Sequence, residues 1–151
     1  MGAVQILYKE QGSRMKLFGT LVIALLMTTV CVAQPNAREY KISNMLNAAN
    51  QMVAMASLNE LSGNSLGADD ARRDGLAKLE NLFPDALEAA KGSPDLVQAV
   101  KAYYLAGKAY LGSSPPRDVL ERAASLRLKA DMEAKSDALE LEMKLAGLGN
   151  K

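Results

Sequence analysis

Residues 92–95 read Gly-Ser-Pro-Asp, and residues 112–116 read Gly-Ser-Ser-Pro-Pro. Each run is a helix stop and a helix start set back to back. Glycine suits the C-terminal cap and serine the N-cap. Proline, which has no N–H and a fixed backbone angle, suits the first helical position. Marks of this kind leave only short polar turns between segments, and short turns join antiparallel neighbours.

Between the marks the period is helical. The first segment runs from about Ala37 to Leu61, with an apolar stripe of Ile42, Met45, Leu46, Ala49, Met52, Val53 and Ala56. Ser62 to Asp70 reads as a loop rich in Gly, Asn and Ser. The second segment is expected from about Asp69 to Lys91, with two acids in its first turn, where the helix dipole favours them. Its stripe is Leu76, Leu79, Phe83, Leu87 and Ala90, which stays in phase across Pro84 and predicts one kinked helix rather than two. The third segment ends at Leu111. The fourth is expected from Pro116 to Ala146, behind a Ser114 cap and Pro115. Its predicted core face carries Val119, Ala123, Leu126, Ala130, Ala134, Ala138, Leu141 and Leu145. Asp131 with Lys135 and Glu140 with Lys144 mark the solvated side. Ala, Leu, Met, Glu, Lys and Arg dominate these segments, a composition of helix formers.

The N-terminus follows another logic. Arg14 and Lys16 precede LFGTLVIALLMTTV, a run without charge, and Cys31-Val32-Ala33 precedes the polar Gln34. A basic flank, a short apolar run and a small residue form the secretory signal pattern. Cleavage is expected after Ala33, with residues 15–33 as signal peptide and residues 1–14 as a start-site extension or a long basic region. The competing readings are an uncleaved membrane anchor, a lipoprotein modified at Cys31, and a buried helix. Thr28 and Val30 do not fit the lipidation pattern around Cys31. The remainder, residues 34–151, is expected to be one helical domain. The expected location is the bacterial periplasm or outside the cell, or the inner membrane if the segment is kept as an anchor.

Removing residues 1–33 leaves neither histidine nor cysteine. That excludes Ser-His and Cys-His nucleophiles, zinc fingers, His- or Cys-ligated haem and an internal disulfide. It also takes three of 18 basic residues and one of 17 acidic ones, leaving 15 and 16, a net charge of −1. So balanced a chain has no electrostatic footprint for nucleic acid.

Three weaker constellations remain. Asp70 and Asp74 share a helix face, but no second acidic cluster accompanies them to hold a metal and a diphosphate; they read as acids of a helix start beside exposed Arg72 and Arg73. Met45, Met52 and Met55 offer soft thioethers for Cu(I), yet read better as core packing. Ser125 and Lys129 lie one turn apart without an oxyanion hole. No metal, cofactor or enzymatic activity is expected.

In the third segment Val97, Val100, Tyr104, Gly107 and Leu111 fall on one face. Leu96, Tyr103 and Tyr110 flank it, which places the two tyrosines at a rim where their hydroxyls reach water or a partner. The opposite side is also apolar, so this helix is expected to be the most buried, with Gly107 admitting a close neighbour. Tyr103-x-x-Ala106-Gly107-x-x-Tyr110 resembles the first helix of a tetratricopeptide repeat. The resemblance covers about eight residues of one repeat, without a matching second helix or a second copy. It implies a scaffold for protein or peptide partners.

The expectation is an all-α protein: about four helices in an antiparallel bundle or in stacked hairpins, preceded by a signal helix. The expected role is non-enzymatic, protein-binding or structural, in the bacterial envelope, with an unidentified protein as partner and Tyr103 and Tyr110 as candidate contacts. The alternatives are a bundle that sequesters an apolar small molecule or lipid, and a tetratricopeptide-like adaptor.

Overall fold

The computed structural model describes residues 36–149. They form four helices: α1 (Ala37–Leu61), α2 (Ser65–Ala90), α3 (Pro94–Leu111) and α4 (Val119–Leu145). Among the described residues there is no strand, and the architecture is an all-α helical bundle. The signal segment and the expected cleavage point before Gln34 lie outside the described residues.

Side-chain caps set the starts of α1, α2 and α4, whereas at α3 the expected Ser93 cap makes no side-chain hydrogen bond and Pro94 opens the helix. The starts of α2 and α4 also differ from the sequence reading. α2 begins at Ser65, four residues before the expected Asp69, because Asn64 accepts a hydrogen bond from the Gly67 N–H at 3.0 Å. The loop is therefore short, and Asp69 and Asp70 lie beyond the first turn. α4 begins at Val119, not at Pro116. Asp118 rather than Ser114 caps it, accepting from the Glu121 N–H at 2.8 Å, while Glu121 accepts from the Arg117 N–H at 2.7 Å. This near-reciprocal pair is a stronger start signal than a serine before two prolines. At Gly92 the φ of 97° provides the left-handed exit expected after α2. Pro84 lies inside a continuous α2.

Successive helices run antiparallel. Arg38, at the start of α1, donates to the carbonyls of Ala89 and Lys91 at the end of α2, at 2.7 and 3.1 Å. Glu60, at the end of α1, meets Arg72 near the start of α2. Gly75 of α2 abuts Leu111 of α3, while Phe83 further along stacks on Tyr104 with ring centres 3.9 Å apart. α4 follows α3, with Met132 against Gly107, and reaches α1 where Asn50 donates to Ser136 at 3.0 Å.

The buried face of α1 is the predicted one, residue for residue. α2 buries its smaller side chains, Ala68, Ala71, Gly75, Ala86, Ala89 and Ala90, together with Leu79, while Leu76, Phe83 and Leu87 pack at the margin. α3 buries seven of its 18 residues against five of 27 in α4, so it is the most enclosed of the four, although Leu105 faces solvent. The predicted core face of α4 is overturned. Ser125, Met132, Ser136, Leu139 and Met143 point inward, and the stripe from Val119 to Leu145 points outward. Half of that stripe is alanine, which gains little from burial. Met132, Leu139 and Met143 bring more apolar area, and the two serines find internal partners.

Candidate functional site

Arg72, read as a surface residue, is the polar centre of the bundle. Its side chain is 1% exposed. Glu60 Oε1 accepts from Arg72 Nε and Nη2 at 2.9 and 2.5 Å. Nη2 also donates to Ser125 Oγ at 2.8 Å, and Nη1 to Ser113 Oγ at 2.8 Å and to the Tyr110 carbonyl. The guanidinium carbon stands 4.1 Å from the centre of the Tyr110 ring. One side chain thus ties α1, α2, the end of α3, the following turn and α4. A buried guanidinium is tolerated only with this degree of satisfaction.

The two candidate contact tyrosines are not at a rim. Tyr103 and Tyr110 are 0% and 1% exposed, whereas Tyr104, assigned to the core, is half-buried. The Tyr103 hydroxyl donates to Asn50 Oδ1 at 2.9 Å and lies 3.2 Å from the Leu46 carbonyl oxygen. Asn50 in turn donates to Ser136, so a polar chain crosses from α3 through α1 to α4. Burial pushes the Tyr103 phenol well above its ordinary range. Burial also raises Tyr110, against the opposing pull of its hydrogen bond with Ser57 and of the Arg72 charge. Both phenols are uncharged partners inside the fold at neutral pH. The helix turns by about 100° per residue. The sequence reading centred the buried face near Tyr104, but α2 and α4 enclose α3 from the Tyr103 side.

The other singled-out residues are also placed. Met45 and Met52 pack in the core and Met55 faces solvent, so the three methionines do not converge. Asp70 pairs with exposed Arg73. Ser125 is taken up by Arg72, and Lys129 pairs with Glu133 at 3.6 Å. Gly107 does admit a close neighbour, but the neighbours are the side chains of Leu79 and Met132, not a backbone.

Part of what the bundle leaves outside is an apolar strip. On α4, Val119, Leu126, Leu141 and Leu145 are 82, 59, 56 and 72% exposed, and Ala123, Ala130, Ala134 and Ala138 between them are exposed too. Leu61 at the end of α1 extends the patch, since Leu61 and Leu126 border one cleft beside Tyr110. That cleft holds about 100 Å³, well under the size of a small-molecule pocket. Single exposed leucines are ordinary, but a strip along a whole helix is an interaction feature. The outward face of α4 is therefore the candidate site. The sequence reading found these eight residues and assigned them to the core.

Comparison of the chain with protein-family models, with curated proteins and with solved structures finds no match.

Proposed function

We propose that this chain is exported to the bacterial envelope and acts there without catalysis, by binding a protein through the outward face of α4. The observation that carries the reading is the continuous exposed strip from Val119 to Leu145. Water-exposed apolar area of that extent costs solubility unless a partner covers it. The basic flank, apolar run and Ala33 boundary support export. The buried polar clusters support a scaffold role, since their donors and acceptors are engaged in holding helices together.

A photo-crosslinking residue placed at Leu126 or Leu141, with Asp74 on α2 as control, tests the binding reading in cells. Protein adducts at the α4 positions and none at the control are expected. Absence of adducts along α4 overturns it. The export reading predicts a cell-envelope form whose first residue is Gln34, and an intact N-terminus on exported protein overturns cleavage there.

A further inference from the structure

We infer that the partner on α4 is a second copy of this chain, packed antiparallel about a two-fold axis level with Met132. The inference rests on the protein-binding reading above and names its partner. The outward strip is symmetric about that position. Reversed end for end, Val119 falls on Leu145, Ala123 on Leu141, Leu126 on Ala138 and Ala130 on Ala134. A two-fold interface needs this property, because one patch must complement itself. Here the complement is in shape as well as polarity. Leu141 meets Ala123 and Leu126 meets Ala138, large against small, and the alanines at the middle let the two helices approach closely.

The charges obey the same axis. Arg127 and Asp137 are mirror positions about Met132, of opposite sign, and both are exposed. Among the described residues neither forms an ion pair in its own chain. Antiparallel packing sets each against the other twice. A parallel pair in register sets Arg127 against Arg127 and Asp137 against Asp137, so the arrangement also selects against the wrong orientation. On one flank Arg122 and Glu140, both exposed, come within two residues of the same relation.

The strip is also straight enough to be covered along its length. Val119 to Ala130 and Ala130 to Leu141 each take three steps, so the strip repeats every 11 residues. That period is close to the natural turn of a helix and keeps the strip nearly parallel to the axis. The 27 residues of α4 span about 40 Å. A membrane surface fits less well, because Asp137 falls within the strip itself, and a carboxylate pressed toward acyl chains has no counter-charge there.

Sedimentation equilibrium of the full chain over a range of concentrations is the test, with Arg127→Asp, Asp137→Arg and the double exchange. The wild-type chain is expected to dimerise. Each single exchange places like charges together and lowers the association constant by about tenfold or more, and the double exchange restores it to within about threefold. In a Cys31→Ser background, mixed Ala130→Cys and Ala134→Cys chains are expected to form a disulfide between unlike chains faster than between like ones. A wild-type monomer, a double exchange as weak as the singles, or faster crosslinking between like chains overturns the inference. Photo-adducts at Leu141 to another protein, or flotation of a monomer with anionic vesicles, also overturns it. The first of these leaves the protein-binding reading standing, and the second removes both.

Discussion

Glu60 Oε1 bridges two nitrogens of Arg72, at 2.9 and 2.5 Å, where the guanidinium is shut off from water. The carboxylate retains some access to solvent and the arginine has almost none. The two ends of this pair are therefore unequal. Glu60→Ala strands a buried cation and is expected to destabilise the fold by about 3 kcal/mol. Arg72→Lys, with Glu60 in place, is also expected to destabilise the fold, since one ammonium cannot serve Glu60, Ser113 and Ser125 as the planar fork does. The double replacement Arg72→Met with Glu60→Met is expected to cost less than the two single changes added together. Urea denaturation of the four chains measures this. Additive losses would mean that the pair does not act as one.

Two glycines mark the closest helix contacts and respond differently to a methyl group. At Gly107 a Cβ would lie 2.7 Å from Leu79 Cδ2 and 3.3 Å from Met132 Cε, both at the ends of side chains. At Gly75 it would lie 2.7 Å from Met52 Cβ, which moves only with the backbone of α1. Alanine gains up to about 1 kcal/mol in helix propensity at either site. Gly75→Ala is expected to lose more than that, with a net cost of about 1–3 kcal/mol. Gly107→Ala is expected to cost less, because Leu79 and Met132 can adjust their rotamers. Thermal unfolding of both variants ranks them, and the reverse order would refute the packing argument.

Helix number, the α1 face and the turn at Gly92 were legible because caps and period are local signals. The faces of α3 and α4 were not, for a physical reason. Periodicity reports where apolar residues lie, not which apolar face meets the rest of the chain. On α4 two faces compete, one lined by alanine and leucine, the other by Met132, Leu139 and Met143 with two serines. The serines make the inner face look polar until Arg72 and Asn50 are placed beside them. Arg72 was missed for the same reason: its partners lie 12, 41 and 53 positions away in sequence. The candidate site was found as a stripe but read from the wrong side.

Pro84 interrupts the hydrogen-bond ladder of α2 at an exposed position. With no N–H to give, it leaves the Glu80 carbonyl without its usual helical donor. The Glu80 side chain meanwhile reaches Lys108 of α3 at 3.2 Å, so the segment is tied to its neighbour independently of the ladder. Pro84→Ala is expected to raise stability by about 1–3 kcal/mol, unless a bend at this point sets the fit of α2 on α3. A rise in the unfolding midpoint supports a passive proline. A fall would show that the packing of Phe83 on Tyr104 depends on it.

Tyr103 makes the bundle sensitive to base. In the unfolded chain its phenol loses its proton near pH 10. In the folded protein burial raises that value, so the proton is held to higher pH. Below about pH 10 both states keep the proton and the contribution to stability is complete. Above it the unfolded chain ionises first, and stability falls as pH climbs toward the folded value. Urea midpoints from about pH 8 to about pH 11 are expected to decline in the wild-type chain, with a shallower decline in Tyr103→Phe. Tyr103→Phe should also be less stable at neutral pH by about 1 kcal/mol, since it leaves Asn50 Oδ1 without its donor. Equal slopes in the two chains would show that another group controls the response, and that the Tyr103 hydroxyl is not sealed within the core.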